Sequence, residues 1–290
     1  MTLQTIVLSV VIALLVFSVS LDLKLQDFQR VARTPRAVIG GLIPQFLLLP
    51  VGTWLVTLAL DLPPQIEVAM LLVAVCPGGT TSSFITHFGR GNAALSLSIS
   101  AVGAPLSLLL TPLSFSWMVA QNPATSQWVQ SLDIDPWAIW RTLTLLLALP
   151  LSAGLACSRW LPVLTATIRK PLSKVAVLAL VTFVVANVFI QRHLLTIDVL
   201  PLLLVVILQN SAGLLFGYAT AVIMRLDTPD RRAVVIEGGL QNVGFALGIV
   251  AVQFNSDLQM VIFTSLWGVW HSISALGLAL FWRRSGSSHS

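Results

Sequence analysis

The chain has 290 residues, of which 56% are hydrophobic and only 9% charged, with a mean hydropathy of +0.91. A soluble domain carries about 25% charged residues, so a water-covered globule of this size is excluded. The formal net charge of +5 comes from basic residues in short loops, a placement that fits the positive-inside rule and not a nucleic-acid-binding surface.

Apolar stretches long enough to cross about 30 Å of hydrocarbon recur along the whole chain, and nine spans are expected. The first, residues 3–21 in "MTLQTIVLSVVIALLVFSVS", has no basic n-region and is long for a cleaved leader, so it is read as a spanning helix. The others fall near 36–60, 64–87, 92–119, 136–159, 172–190, 197–224, 229–254 and 257–282. The longest linker, near 120–135, holds "QNPATSQWVQSLDID". Trp128, Trp137, Trp140, Trp160 and Trp282 sit near segment ends, where interface anchors belong. Cys76 and Cys157 have no metal-type spacing and suggest no disulfide framework. With nine spans, one side receives Lys24, Arg30, Arg33, Arg36, Arg90, Arg159, Arg169, Lys170, Lys174, Arg225, Arg231, Arg232, Arg283 and Arg284, and the other only Arg141 and Arg192. The N-terminus is therefore expected outside and the C-terminus in the cytoplasm.

Two spans are interrupted. "CPGGTTSS" (76–83) follows the greasy run "EVAMLLVAV", and Glu237-Gly238-Gly239-Leu240-Gln241-Asn242 breaks "VVIEGGLQNVGFALGIVAV". The upstream helices agree in kind, with Gln45 in one and Gln209-Asn210 in the other. The breaks lie in spans three and eight. That odd offset implies halves inserted in opposite directions, an inverted repeat with two discontinuous helices. Such a pair is the sequence pointer to a secondary transporter's binding site. An unwound stretch frees carbonyls that can coordinate a cation and presents helix N-termini to an anion. Close helix packing is the competing reading of either Gly-Gly pair. Glu237 is the one acidic residue placed away from loops and segment ends, although an interfacial position about a turn from "RLDTPDRR" competes with a buried one. At mid-helix it would cost about 2.5–3.5 kcal/mol unless it faces a cation or proton. Ser96, Ser100, Gly103 and Ser107 share one face of the fourth span. A small-residue packing seam explains Gly103 and Ser107 as well as a site does. Hydroxyl, carbonyl and carboxylate oxygens suit an alkali cation rather than a transition metal.

"CPGGTTSSFITHFGRGNAALSLSIS", "EGGLQNVGFALGIVA" and "SLWGVWHSISALGLALFW" resemble the bile acid:sodium symporter family, as does "SVSLDLKLQDFQRVARTPRAVIGGLIPQFLLLP". The resemblance implies an all-α polytopic membrane protein built from inverted five-helix repeats, with nine transmembrane helices because the family's first is missing. It implies a panel domain (1–34 and 136–192; spans one, five and six) and a core domain (35–135 and 193–284; spans two to four and seven to nine). The discontinuous helices cross within the core, and 285–290 forms a disordered tail. It implies two sodium ions, one at Ser82, Ser83, Ser96, Ser100 and Glu237. The other would be held by Gln45, Glu237, Gln241 and the carbonyls of Gly238 and Leu240. The family motif usually reads asparagine where this chain has Ser83 and often threonine where it has Ser100, so the first site is expected to bind sodium weakly. Ser272 also stands where asparagine is frequent, which bears on substrate choice. Thr80, Thr81, Asn242 and His271 would border the substrate; for His271, ordinary helix packing competes.

The function so implied is sodium-coupled import of an organic anion, bile-acid-like or a smaller carboxylate, by alternating access, and not an enzymatic one. A proton-coupled or uncoupled organic-anion carrier of the same fold is the alternative. An intramembrane serine hydrolase using Ser82 or Ser83 with His87 is a remote one, since no G-x-S-x-G elbow is present. The expected setting is the lipid bilayer of a bacterial inner membrane, with no nucleic-acid partner and the oligomeric state open.

Overall fold

The computed structural model describes residues 10, 13–14, 16–18, 20–21, 34–60, 62–79, 81–132, 136–190 and 199–285. The predicted first span lies largely outside these residues. Thr80, Lys24, Arg30, Arg33, Arg192 and the tail beyond Ser285 lie outside them altogether.

Helix α1 (Pro35–Ala59) contains a π-helical turn at Pro44–Leu48, where the Leu49 N–H reaches back five residues to the Pro44 carbonyl. Pro50 explains the widening, because a proline ring lacks an N–H and displaces the carbonyl four residues earlier. Helix α2 (Pro64–Val75) is buried from Ile66 to Val75 and forms the centre of the main core. Its amphipathic signal is absent because every face is covered. After the first break comes α3 (Thr81–Phe88), and then α4 (Ala93–Gln121), capped by Asn92. Helices α6 (Pro136–Trp160), α7 (Pro162–Ile190) and α8 (Val199–Ile223) follow a short α5 (Pro123–Ser131). The chain then runs through α9 (Thr228–Gly239), the second break, α10 (Val243–Gln253) and α11 (Leu258–Ser285). Among the described residues, α1, α4, α8 and α11 are long and apolar enough to cross a membrane, and α2 and α10 are shorter apolar helices.

Two expectations are corrected. The linker near 120–135 contains α5, begun by Pro123 and capped by the Asn122 side chain, which accepts from the Ala124 N–H at 3.1 Å. Asn122 also donates to Glu67 at 2.9 Å and to the Thr57 carbonyl at 3.2 Å, tying this turn to the start of α2 and the end of α1. The helix expected near 172 begins ten residues earlier, at Pro162, and carries Pro171 inside it. Trp128, expected among the interface anchors, is half-buried and stacks on Phe254 at 5.9 Å against the core.

The second break is narrower than the sequence suggests. Glu237, Gly238 and Gly239 remain helical, and the chain departs only at Leu240–Asn242. The glycines serve close packing instead. A Cβ at Gly238 would sit 2.6 Å from the Gly213 carbonyl oxygen and 3.1 Å from Gly217 Cα, so α8 and α9 touch backbone to backbone. Gly238→Ala is therefore expected to destabilise the protein by about 1–3 kcal/mol, read as a lower Tm in detergent.

Candidate functional site

The two breaks meet. Pro77 and Gln241 form an isolated antiparallel bridge, and the Asn242 N–H donates to the Cys76 carbonyl at 3.2 Å. Each interruption thus supplies the other with part of the hydrogen bonding that its helix gave up. Side chains cover more of the freed carbonyls: Thr111 donates to Val75 O at 2.6 Å and Asn210 to Gly239 O at 2.7 Å. Ser274 holds Asn210 through its Oδ1 at 2.6 Å. Gln209 donates to Met70 O in α2 at 2.9 Å and accepts from Trp267 Nε1 at 3.2 Å.

Glu237 lies at the centre, 0% exposed and enclosed by protein. Its Oε1 accepts from Ser82 at 2.5 Å, from Ser96, and from Ser100 at 3.4 Å. Its Oε2 accepts from Gln45 Nε2 at 2.8 Å, and the same Nε2 donates to the Glu237 carbonyl at 3.0 Å. Ser83 joins the group through Ser96, oxygen to oxygen at 2.9 Å. The π turn in α1 is what carries Gln45 here. Among the described residues no basic side chain touches Glu237; its partners are hydroxyls and an amide. A buried carboxylate without a basic side-chain partner is costly, and five crowded oxygens form a cradle that suits a hard cation.

The set expected around Ser82, Ser83, Ser96, Ser100 and Glu237 is thus assembled. Gly103 and Ser107, further along the same face, are not part of it. Gly103 packs against Phe46 and Gln45, and Ser107 bonds back to Ala104 O at 2.7 Å.

The second expected set is arranged differently. The carbonyls of Glu237 and Gly239 are taken by Gln45 and Asn210, and the Pro77–Gln241 bridge pairs the Leu240 carbonyl with the Gly78 N–H, whereas among the described residues no donor is seen at the Gly238 carbonyl. The Leu240 oxygen lies beside Gly78, as do Glu237 Oε2 and Gln45 Nε2, while the Gly238 oxygen faces Gly213. Gln241 is buried with neither its amide oxygen nor its nitrogen partnered. Among the described residues the Gly238 carbonyl and the Gln241 amide oxygen are thus acceptors left unsatisfied at the break, a state that an ion relieves.

Thr81 is exposed at the start of α3. Asn242 caps α10, accepting from the Phe245 N–H at 3.1 Å. His271 is buried edge-on against Trp267, with ring centroids 5.2 Å apart and Nδ1 unpartnered. Thr80 lies outside the described residues. The hydrolase reading fails on geometry: His87 is exposed and bonds neither serine, while Ser82 is committed to Glu237 and to Gly79 O at 2.7 Å. The sequence reading missed Thr111 and Ser274. A lone hydroxyl in an apolar helix was their only signal.

The sequence model of the sodium bile acid symporter family matches residues 9–198. An uncharacterized sodium-dependent transporter of Bacillus subtilis, YocS, is 30% identical over 96% of this chain and 83% of its own length. The chain belongs to the sodium bile acid symporter family. Its relatives in that family include a probable chloroplast sodium/metabolite cotransporter of Arabidopsis thaliana, 26% identical over 91% of this chain and 64% of the relative. The human ileal sodium/bile acid cotransporter is 27% identical over 89% of this chain and 72% of its own. Members of the sodium bile acid symporter family are membrane transporters and not enzymes, and the matched relatives share sodium dependence, one of them being a human sodium-dependent organic anion transporter.

Proposed function

We propose that this protein imports an organic anion, a bile-acid-like or smaller carboxylate compound, in symport with sodium by alternating access. The observation that carries the reading is the Glu237 carboxylate, buried without a basic partner among hydroxyls at the junction of two bridged helix breaks. One sodium is held by Ser82, Ser83, Ser96, Ser100 and Glu237, and a second by Gln45, Glu237, Gln241 and the carbonyls of Gly238 and Leu240. Sodium orders the peptides at the breaks. The N-termini of α3 and α10, with Thr80, Thr81, Asn242 and His271, then receive the anion's negative group.

Nine spans, an inverted repeat and separate panel (1–34, 136–192) and core (35–135, 193–284) domains complete the proposal. The N-terminus lies outside and the C-terminus in the cytoplasm of a bacterial inner membrane. The repeat is supported by a reciprocal exchange. Gln45 of the first half reaches the second broken helix at Glu237, and Gln209 of the second half reaches the first at Met70.

Uptake of candidate anions into proteoliposomes under an imposed sodium gradient tests the coupling. Accumulation that follows a pH gradient in sodium-free buffer would establish the proton-coupled carrier instead. Ser83→Asn, which adds an amide carbonyl to the first cluster, is expected to lower the sodium concentration for half-maximal uptake several-fold, measured as a sodium titration of initial rates.

A further inference from the structure

We infer that the cavity of about 480 Å³ between α8, α9 and α11 is a binding site for an anionic phospholipid. The phosphate sits on Arg231 and Arg232, and an acyl chain lies in the apolar part of the groove. This site is separate from the Glu237 cluster and does not depend on the coupling ion.

Two positive charges here lack partners of opposite sign among the described residues. Arg231 and Arg232 line the cavity and are half-buried. Among the described residues neither meets a carboxylate. Arg231 donates to Leu226 O at 3.2 Å, and Arg232 to Gly89 O at 3.1 Å and Arg90 O at 3.4 Å. The Arg231 Nε is buried and has no partner at all. The nearby acids are engaged elsewhere: Asp227 caps the Asp230 N–H at 3.0 Å, and Asp230 accepts from Asn92 at 2.7 Å. Guanidinium groups held this way are receptors for a phosphate.

The surroundings select a lipid over a free anion. Leu214, Leu215, Val235 and Leu278 make the rest of the lining apolar, which suits an acyl chain and offers a hydrophilic solute nothing. Leu215 and Tyr218 are 62% and 49% exposed, so the groove opens to the outer surface of the helices. Tyr218 and Trp282 flank it, with Arg231 5.8 Å above the first ring and Arg232 5.4 Å from the second. Aromatic rings with basic residues mark the headgroup level of a membrane. Thr228, at the first turn of α9, adds a hydroxyl and the positive end of the helix beside the arginines.

The test uses the purified full-length protein in neutral detergent. Native mass spectrometry would follow retained phosphatidylglycerol, with phosphatidylcholine and sn-glycerol 3-phosphate as competitors. Phosphatidylglycerol is expected to bind and the other two to compete poorly. Arg231→Gln with Arg232→Gln should weaken binding about thirtyfold, about fivefold for each charge. Arg283→Gln with Arg284→Gln, at the same end but off the cavity, should change it by less than about threefold. Leu215→Trp, which alters no charge and faces outward, should also displace the lipid and covers the case in which the arginine variant fails to fold. Equal loss from both arginine pairs would reduce the effect to surface charge and overturn the proposal. Full competition by glycerol 3-phosphate, or retention of lipid by Leu215→Trp, would overturn it as well.

Discussion

Glu237→Gln is expected to abolish sodium-stimulated uptake while leaving a folded, monodisperse protein. Glutamine keeps the volume of the side chain and can still accept from Ser82, Ser96 or Gln45, so the packing around it survives. What goes is the charge. Even at an effective dielectric of about 20, unit charges 4 Å apart attract by about 4 kcal/mol, so sodium affinity should fall at least a few hundredfold. The same loss appears without any substrate. A ligand at about a hundred times its Kd stabilises the folded protein by about 2.7 kcal/mol, and that sodium-dependent rise in Tm should vanish in the variant. Uptake and sodium stabilisation that both persist would remove Glu237 from the ion path. Glu237→Ala should be worse, because it removes the acceptor shared by four buried donors, Ser82, Ser96, Ser100 and Gln45, at about 1–3 kcal/mol for each one left unpaired.

The second large effect concerns neighbouring glycines. A Cβ at Gly78 would stand 2.6 Å from the Leu240 carbonyl oxygen and 3.4 Å from Glu237 Oε2, whereas one at Gly79 meets only Asn242 Nδ2 at 3.9 Å. The obstacle at Gly78 is backbone, which cannot swing away. Gly78→Ala must therefore force the two breaks apart, at about 1–3 kcal/mol of stability, and should reduce uptake to under about a tenth. Gly79→Ala is expected to stay near the unmodified protein in both. Parallel thermal unfolding and initial-rate measurements on the two variants check this. Equal behaviour would mean that the crossing is looser than these contacts require.

Much of this arrangement is written in the sequence, for identifiable reasons. An ionisable residue or a Pro-Gly-Gly run inside an apolar segment is so costly in hydrocarbon that its position alone marks a place where something polar must be met. Glu237 and Cys76–Gly79 were visible on that ground, and Ser96 and Ser100 followed from helical spacing. Gly238 and Gly239 were misread as unwound, because a glycine that opens a helix and one that admits a neighbouring helix look alike in one dimension. Only Gly213 and Gly217 of α8, twenty residues upstream and more, decide between the two. Helix α5 was hidden by its polar composition, since an interfacial turn of helix resembles a loop by hydropathy. Thr111 and Ser274 were illegible for a simpler reason: a hydroxyl in an apolar helix usually bonds its own backbone, and nothing local says when it reaches for another chain segment.

The bridge between Pro77 and Gln241 has a mechanical consequence. The interrupted rods are stitched amide to carbonyl at their crossing, so neither can slide past the other without tearing those bonds. In the alternating access proposed above, the motion must carry both rods together, as an axle turns within its bearing, or must move the walls around them.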